Sequence, residues 1–298
     1  MSASRRWQRE GLDWPNRDAS RFVNAGGIEW HVQDSGSGPV ILLLHGTGSA
    51  THSWAGLMPL LARHFRVIAP DLPGHGFTEL VPAEGASLPG MAAALDALLE
   101  ELDIAPELVV GHSAGAAILA YLSLEGAIMP RALISLNGAF LPFGRVAAPL
   151  FSGAARMLAS SSVVTYMVAL QGFRRSSVDR LIRQTGSRLG TKEVDYYRTL
   201  VRTPHHVAGT LRMMANWDLE ALERNLPRLE PPVYLVACAN DQAVAPAQAR
   251  RLARRIPGAR LRELPALGHL GHEENPVLFA DLIRDVAVEQ GLLQSAGA

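Results

Sequence analysis

The sequence predicts an α/β fold in which helices cover both faces of a mostly parallel central sheet, with a helical cap inserted late in the chain. Two observations support this prediction. Short apolar runs alternate with helical stretches through most of the 298 residues, a pattern typical of parallel sheets with crossover helices. One long interval, residues 139–216, contains no strand-like run. The length favours one large domain with an inserted lobe.

The strand signals differ between the edge and the centre of the predicted sheet. Residues 28–33 alternate between apolar and polar side chains, as in a half-exposed strand. Residues 40–44 form a continuous apolar run, which fits a parallel strand buried on both faces. Further candidate strands are residues 66–69, 108–110, 132–136, 233–237 and 260–264. Candidate helices are residues 54–65, 91–102, 114–124, 246–256 and 276–288.

The interval 139–216 is typical of a cap over a catalytic face. It contains eleven basic and three acidic residues, a balance of +8. Within it, residues 157–173 carry no charge but fall short of the roughly 18 apolar residues of a membrane span, so we expect a lid helix that faces the pocket. We therefore predict a mobile, substrate-selecting cap between core segments 1–138 and 217–298. Its arginines, Arg174 and Arg175 among them, should rim the entrance.

Bulk composition excludes several classes of protein. The 28 basic and 28 acidic residues cancel, so no global field favours nucleic acid as a partner. Cys238 is the single cysteine, which forbids an internal disulfide and fits a reducing compartment; its apolar neighbours predict a buried structural thiol. The N-terminal segment lacks the apolar run of a secretory signal. We expect a cytoplasmic protein without a transmembrane segment.

Gly111-His-Ser-Ala-Gly115 is the strongest catalytic motif of the sequence. It follows the candidate strand 108–110 and precedes the helical run 114–124. This is the context of a nucleophile elbow, a strained turn that lifts a serine hydroxyl above the sheet edge. Glycines two residues to either side leave room for the turn. The alternative is a glycine-flanked turn with an incidental serine, but the strand–helix context favours Ser113 as a nucleophile.

A serine nucleophile needs a general base, and one established order along the chain is nucleophile, acid, histidine. Asp241 follows the candidate strand 233–237, at a carboxyl end where catalytic groups gather. His269 follows the candidate strand 260–264 and is preceded by Gly268. We predict that His269 is the general base and that Asp241 orients it. The alternative for Asp241 is a turn-forming role.

His272 competes with His269 for the role of base. It adjoins Glu273 and Glu274 at the expected start of the last helix, where acidic residues complement the helix dipole. We therefore predict a structural role for His272. The remaining histidines, which include His31, His52, His64, His205 and His206, are expected at the surface or in structural positions.

An acyl-transfer site also needs two backbone donors for the oxyanion. One is expected from Ala114, directly after the nucleophile. The other is expected from Thr47 in the loop His45-Gly-Thr-Gly48, whose glycines allow the backbone to approach a substrate closely. Neither a metal-binding spacing nor a glycine-rich phosphate loop occurs in the sequence, so we expect no cofactor and no metal.

Together these motifs resemble the α/β-hydrolase superfamily from about residue 20 to residue 290. The matching pieces are His45-Gly-Thr-Gly48, Asp71-Leu-Pro-Gly-His-Gly-Phe-Thr78, Gly111-His-Ser-Ala-Gly115, Asp241 and Gly268-His269. The resemblance implies the α/β-hydrolase fold and a structural turn at Asp71. Some relatives place their acid after the preceding strand, where this chain has Asn137, which carries no carboxylate. Haloalkane dehalogenases and epoxide hydrolases use an aspartate nucleophile, so Ser113 argues against both.

A narrower resemblance rests on Asp13-Trp-Pro-Asn-Arg-Asp-Ala-Ser-Arg-Phe-Val23, Trp30-His-Val-Gln33 and Thr51-His-Ser-Trp54. These segments are similar to the hydrolase-like magnesium-chelatase accessory proteins of bacteriochlorophyll biosynthesis (BchO), which are encoded among photosynthetic pigment genes. The resemblance implies a cytoplasmic or membrane-peripheral protein that acts on or near a porphyrin or chlorin. It also implies a loose association with the membrane or with magnesium chelatase. An apolar, cationic cap would suit a flat macrocycle with carboxylate side chains, although esterase caps are also apolar.

Three functions fit these residues. The leading hypothesis is a serine hydrolase that cleaves an ester or related acyl bond of an apolar substrate through Ser113, His269 and Asp241. A carbon–carbon bond hydrolase would use the same triad on vinylogous ketones. A porphyrin-binding or chelatase-assisting protein would not depend on hydrolysis.

Overall fold

The protein is described by a computed structural model over residues 2–142 and 175–294. These residues contain eight strands: β1 (Ser20–Ala25), β2 (Ile28–Ser35), β3 (Val40–Leu44), β4 (Arg66–Pro70), β5 (Leu108–His112), β6 (Ala132–Leu136), β7 (Val233–Cys238) and β8 (Arg260–Leu264). They form one sheet in the order β1-β2-β4-β3-β5-β6-β7-β8. The pairs β1–β2 and β2–β4 are antiparallel, and every other pair is parallel.

Eleven α-helices are found in the same residues: α1 (Ala3–Glu10), α2 (Leu57–Leu61), α3 (Leu88–Glu101), α4 (Ala114–Leu124), α5 (Arg175–Gln184), α6 (Thr191–Arg202), α7 (Pro204–Asn216), α8 (Glu220–Asn225), α9 (Pro246–Arg255), α10 (Gly271–Glu274) and α11 (Pro276–Glu289). Short 3-10 helices lie at Arg17–Ala19, Thr51–Trp54, Glu84–Ala86 and Leu226–Arg228. The predicted α/β fold, with a mostly parallel sheet between helices, is confirmed.

Burial on both faces explains the uninterrupted apolar run of β3. Leu42 and Leu44 belong to the core on the side of α3 and α4, whereas Ile41 and Leu43 belong to the core on the side of α2 and α11. Successive side chains of a strand point to opposite faces, so a strand between two helical layers needs apolar residues at every position. Each fully buried leucine or isoleucine contributes roughly 1.5–3 kcal/mol.

Several elements differ from the sequence prediction. β1 was not predicted, because this edge strand is mostly half-buried and lacks a clear apolar alternation. The helix expected over residues 54–65 is instead a 3-10 turn, Thr51–Trp54, followed by the five-residue α2. Gly56 separates them and packs against Pro276, where a Cβ would lie 2.8 Å from the ring. α1 was not predicted either.

The N-terminal segment packs two tryptophans between the core and α6. Trp7 and Trp14 contact the Phe77 ring edge-on, and Trp14 also meets Tyr196 of α6, with ring centroids 5.8 Å apart. The indole N–H of Trp14 donates to Thr51 Oγ1 over 3.0 Å, which satisfies its one polar atom. The segment thus joins α6 to the core.

The described part of the predicted cap, residues 175–216, consists of α5, α6 and α7. His206 of α7 accepts a hydrogen bond from the Gly76 N–H at Nδ1. Gly209 approaches Gly74 so closely that a Cβ would lie 2.1 Å from the Gly74 carbonyl oxygen. The uncharged run 157–173 and Arg174 lie outside the described residues, and the boundaries 139 and 216 stay a prediction. No helix in the described ranges is both long and apolar enough to cross a membrane.

We predict that Trp14→Ala lowers the free energy of unfolding by about 3–5 kcal/mol, because it removes a buried ring and strands the Thr51 hydroxyl. Urea denaturation followed by circular dichroism measures this loss. Leu12→Ala is the matched control, since Leu12 is 66% exposed and its truncation should change the stability little. Equal effects of the two substitutions would contradict the packing role of Trp14.

Candidate active site

Ser113 lies on the turn between β5 and α4 with a backbone conformation that few side chains adopt. Its φ is 52° and its ψ is −118°. Conformations of this kind cost on the order of 1–3 kcal/mol and persist only where the surroundings enforce them. Here the Ser113 N–H donates to the Leu136 carbonyl over 3.1 Å, and its own carbonyl accepts from the Ala139 N–H over 3.0 Å.

Three glycines allow neighbouring backbones to approach this turn. A Cβ at Gly111 would lie 2.4 Å from Ala116 Cα, and one at Gly115 would lie 2.2 Å from the Leu44 carbonyl oxygen. A Cβ at Gly46 would lie 2.8 Å from the Cβ of Ser113. The first two glycines therefore permit the sharp turn, and Gly46 permits the loop after β3 to reach the serine.

His269 and Asp241 are joined by a hydrogen bond of 2.8 Å between Nδ1 and Oδ2. The Asp241 carboxylate is 1% exposed and also accepts from the backbone N–H groups of Ala243 and Val244, each over 2.8 Å. Three hydrogen bonds therefore fix the orientation of the carboxylate. The His269 side chain is 10% exposed, and its bond to Asp241 leaves Nε2 as the nitrogen free to accept a proton.

Two residues to which the sequence analysis gave no role, Asn137 and His112, hold the backbone at His269 through hydrogen bonds. The amide of Asn137 donates to the His269 carbonyl over 2.8 Å and accepts from the Cys238 N–H. His112 Nε2 donates to the same His269 carbonyl over 2.9 Å. Asn137 thus occupies the alternative acid position as a structural tie between loops. Burial lowers the pKa of His112 well below its ordinary value, and His272 and His269 nearby add to the effect.

The two predicted oxyanion donors lie on different segments, Ala114 at the start of α4 and Thr47 in the loop after β3. Ala114 is the first residue of α4, so its N–H has no partner within the helix. The Thr47 N–H has no acceptor among the described residues, and the Thr47 hydroxyl donates to Met213 Sδ of α7 over 3.4 Å. The site geometry is compatible with both as donors, and their role stays a prediction.

A cavity of about 450 Å³ brings Ser113, His269 and Thr47 together. Most of its remaining wall is apolar and comes from the predicted cap. The cap contributes Val178, Leu181, Ile182, Thr185, Tyr197, Val201 and Met214. Leu181 and Met214 are 54% and 40% exposed, so apolar surface continues to the mouth of the cavity. The arrangement suits an apolar small molecule.

The turn between α5 and α6 docks directly onto the loops of Asp241 and His269. The Thr185 carbonyl accepts from the His269 N–H over 3.2 Å, and the Ser187 hydroxyl accepts from the Leu270 N–H over 2.8 Å. Gly268 makes this possible, because a Cβ there would lie 2.3 Å from the Gly186 carbonyl carbon. No sequence signal linked the turn to the loop of His269, which lies more than 80 residues further along the chain.

His272 lies on the first turn of α10 and is fully buried, away from the cavity wall. Its Nε2 is 3.3 Å from the Ser53 hydroxyl, and its ring packs on Trp54. Burial, together with His269 and His52 nearby, lowers the pKa of His272 to about 3, so the ring is neutral. These contacts support the predicted structural role.

Cys238, at the end of β7, is buried in the core. Burial raises the pKa of its thiol to about 12, so it is not a reactive nucleophile at neutral pH.

A second polar contact at the cavity was not anticipated from the sequence. The Tyr197 hydroxyl of α6 donates to Glu273 Oε1 of α10 over 2.6 Å, and the Glu273 side chain is 4% exposed. The pKa of the Glu273 carboxyl is raised to about 8. Burial is the main cause and the nearby Glu193 and Glu274 carboxylates contribute, whereas the bond from Tyr197 opposes the rise.

A protein-family model described as the alpha/beta hydrolase family matches residues 41–282. The chain belongs to this family. A solved structure of an alpha/beta hydrolase fold protein from Burkholderia ambifaria superposes with a TM-score of 0.77 at 27% identity, covering 90% of this chain and 98% of that chain.

Two curated relatives match most of the length of this chain. The magnesium-chelatase 30 kDa subunit of Rhodobacter capsulatus is 40% identical over 263 residues, which are 88% of this chain and 92% of the relative. A pyrrolizixenacetamide deacetylase of Xenorhabdus hominickii is 29% identical over 265 residues, or 86% and 93% of the two chains. Both resemblances drawn from the sequence motifs are confirmed.

Asp71 of this alpha/beta hydrolase is a structural residue beside the loop of Thr47. It is fully buried and accepts from the Thr51 N–H over 2.6 Å and the Phe77 N–H over 2.9 Å. His31 Nδ1 lies 2.7 Å from Asp71 Oδ2. Burial alone would raise the pKa of Asp71, but His31 and the hydrogen bonds hold it well below its usual range.

We predict that Asp71→Asn lowers the free energy of unfolding by about 3 kcal/mol at pH 6, because an amide cannot accept all the hydrogen bonds that the buried carboxylate accepts. A depressed folded-state pKa gives stability that is present above the unfolded pKa of about 3.9 and is lost as the pH falls towards the folded value. The gap between wild type and variant should therefore narrow below about pH 4. Chemical denaturation between about pH 2.5 and about pH 7 measures this gap in stability. Asp13→Asn, at an exposed aspartate, is the control. A gap that does not change with pH would contradict the ionised state of Asp71.

Proposed function

We propose that this chain is a serine hydrolase that cleaves an ester or related acyl bond of an apolar substrate. The observation that carries the proposal is the pairing of the 2.8 Å His269–Asp241 hydrogen bond with Ser113 on the wall of the same cavity. The strained turn at Ser113 adds support, because such strain persists mainly at functional sites. The family contains many hydrolases, but the fold alone does not decide the chemistry.

In the proposed acylation step, Ser113 Oγ attacks the scissile carbonyl carbon while His269 Nε2 takes the hydroxyl proton. The electron pair of the carbonyl moves to its oxygen, where the N–H groups of Ala114 and Thr47 stabilise the negative charge. Collapse of this intermediate breaks the bond to the alcohol, which receives the proton from His269. The product is an acyl ester on Ser113 and a free alcohol.

The second step returns the enzyme to its starting state. His269 takes a proton from water, and the hydroxide formed attacks the acyl carbon on Ser113. Asp241 stabilises the imidazolium in both steps and keeps Nδ1 protonated, as its buried position and two backbone donors support. The carboxylic acid leaves, and the proton returns to Ser113 Oγ.

The substrate class proposed is a tetrapyrrole ester or a related apolar ester. Support comes from the relative named as a magnesium-chelatase subunit, which is 40% identical, and from the largely apolar cavity. Exposed arginines of the described cap, Arg180 and Arg188, would suit the carboxylate side chains of a porphyrin or chlorin. A cytoplasmic or membrane-peripheral location, and association with magnesium chelatase, belong to the same proposal.

A second candidate function is porphyrin binding in support of magnesium chelatase, without essential hydrolysis. The name of the same relative favours it, because that name refers to a chelatase subunit and to no hydrolytic reaction. The two candidates differ in one requirement: hydrolysis needs the Ser113 hydroxyl, whereas binding does not.

We predict that a fluorophosphonate probe modifies Ser113 and that labelling is lost in Ser113→Ala and strongly reduced in His269→Ala. Turnover of an ester substrate should fall on the order of 10⁴–10⁶-fold in either variant, because triad members act as a unit. Intact-mass spectrometry and kcat measurements provide the readouts.

The matched control for this experiment is His272→Ala. This substitution removes a buried imidazole that does not line the cavity. It should lower stability while leaving kcat within about tenfold of wild type. Undiminished labelling of Ser113→Ala, or loss of kcat in folded His272→Ala with retention in His269→Ala, would refute the assignment.

We predict that wild type converts a porphyrin monomethyl ester to the free acid and that Ser113→Ala binds the ester without converting it. Mass spectrometry follows the loss of the methyl group, and porphyrin fluorescence follows binding. Arg188→Gln should weaken binding at low salt, with the effect shrinking as salt screens exposed charges over about 10 Å at 0.1 M. Binding without conversion by wild type would instead favour the accessory function.

A further inference from the structure

Two side chains from separate strands donate to one backbone oxygen, the carbonyl of His269. His112 Nε2 donates over 2.9 Å and Asn137 Nδ2 donates over 2.8 Å. His112 is the last residue of β5 and directly precedes Ser113, whereas Asn137 directly follows β6. A carbonyl oxygen has two lone pairs, and both are used here. The proposed acyl transfer uses neither of these side chains.

Asn137 also connects the His269 carbonyl to the strand that leads to Asp241. Its Oδ1 accepts from the Cys238 N–H, at the end of β7, over 2.8 Å. Its Nδ2 lies 3.2 Å from the Gly268 carbonyl in addition to the His269 carbonyl. The amide oxygen thus faces an N–H group and the amide nitrogen faces two carbonyl oxygens, so the two ends cannot be exchanged. The residue is buried, and losing these contacts would leave polar groups unpaired.

His112 contacts His269 through its ring as well. The two imidazole centroids are 4.6 Å apart, and the His272 ring lies 4.5 Å from that of His112. A carbonyl oxygen can only accept, so His112 carries a proton on Nε2. Its Nδ1 has no hydrogen-bond partner among the residues that the structure describes. The bond to the His269 carbonyl is therefore the one hydrogen bond of the His112 side chain within that part of the chain.

We infer that Asn137 and His112 are positioning residues that hold the His269 imidazole in register with Asp241 and Ser113. This inference rests on the proposed function, because it assigns a task to residues around the same triad. Through His112 the His269 carbonyl is tied to the residue before the nucleophile. Through Asn137 it is tied to the end of β7, shortly before Asp241. One backbone oxygen thus links the three segments that carry the candidate triad.

The cap holds the other side of the same residue. The His269 N–H donates to the Thr185 carbonyl over 3.2 Å, whereas Asn137 and His112 hold the His269 carbonyl from the core. Without these two donors the carbonyl would be unpaired, and the imidazole could shift relative to Ser113. A displacement of about 1 Å can lower a rate on the order of 100-fold. Asn137 does not line the cavity, so its loss should lower kcat and leave KM nearly unchanged.

The first test replaces the amide of Asn137 by a carboxyl group of the same shape. In Asn137→Asp an oxygen takes the place of the nitrogen that faces two carbonyls, and aspartate tolerates the φ of 48° at this position. We expect kcat for p-nitrophenyl butyrate and the rate constant of fluorophosphonate labelling to fall about 100-fold, with KM within about threefold of wild type. Asn216→Asp is the matched control and should keep wild-type rate constants, because the Asn216 amide also donates to a carbonyl over 2.8 Å but lies at the end of α7.

A second pair of variants tests His112 and stays informative if Asn137→Asp does not fold. Glutamine can place an N–H donor near the position of the imidazole Nε2, whereas leucine has no donor. We expect His112→Gln to keep kcat within about threefold of wild type and His112→Leu to lower it about tenfold, the effect of roughly one hydrogen bond. Equal losses of kcat in the two folded variants would contradict the role of this hydrogen bond.

A spectroscopic readout separates positioning from a general effect on stability. The His269 proton on Nδ1 lies in the hydrogen bond to the buried Asp241 carboxylate, so it should give a downfield proton resonance that is absent in His269→Ala. In Ser113→Ala, addition of either donor-removing substitution should shift or broaden this resonance, whereas Asn216→Asp should leave it unchanged. The measurement needs no turnover and therefore does not depend on the choice of substrate.

The outcomes distinguish this inference from the proposed function. A wild type that neither hydrolyses esters nor reacts with the fluorophosphonate, with the resonance responding as expected, would refute the hydrolase proposal and sustain the hold on His269. Hydrolysis by wild type, with kcat and the resonance unchanged in folded Asn137→Asp and His112→Leu, would overturn the positioning role. A fall in kcat that Asn216→Asp reproduces would overturn it as well.

Discussion

The backbone of Ser113 is the constraint on which the rest of the site depends. A serine at φ 52° and ψ −118° is stable only if its neighbours hold the turn from every side. β6 supplies an acceptor for its N–H, and Gly111 and Gly115 remove the side chains that would push α4 and the loop after β3 away. The close approach of that loop sets where Thr47 stands, and therefore the shape of the cavity floor.

The sequence predicts the central sheet well because local pattern and tertiary environment agree there. Strands such as β3 are buried on both faces, so their apolar runs are unambiguous. The edge strand β1 carries no such signal, since its side chains are mostly half-buried and show no apolar alternation. The helix predicted over residues 54–65 was wrong for a different reason. Its pattern is interrupted by Gly56, which packs against a proline more than 200 residues away.

The residues of the candidate site also differ in how far the sequence indicated them. Ser113, Asp241 and His269 could be chosen from motifs and chain order, because each follows a recognisable strand. Asn137, Tyr197 and Glu273 could not, because their importance lies in partners that only folding brings together. The Tyr197–Glu273 contact joins residues 76 positions apart, and glutamate beside histidine at a helix start reads from sequence as ordinary helix capping. The sequence thus indicated the candidate triad more clearly than the residues that pack around it.

Burial governs the charge state of the whole region. His112, His272 and Glu273 all have pKa values moved toward their neutral forms, so they act as hydrogen-bonding groups and not as charges. Within this buried region the Asp241 carboxylate contacts His269 directly.

The turn of residues 185–187 has a consequence for how the cavity can open. Its Thr185 carbonyl and Ser187 hydroxyl hold the backbone N–H groups of His269 and Leu270. A motion that lifts this turn would therefore pull on the histidine itself and leave two buried amides unpaired. Opening the cavity at this turn would therefore also displace His269, so access to the cavity and the position of the histidine are coupled. Substrate exchange that keeps His269 in register must use a hinge elsewhere, with residues 185–187 as its fixed side.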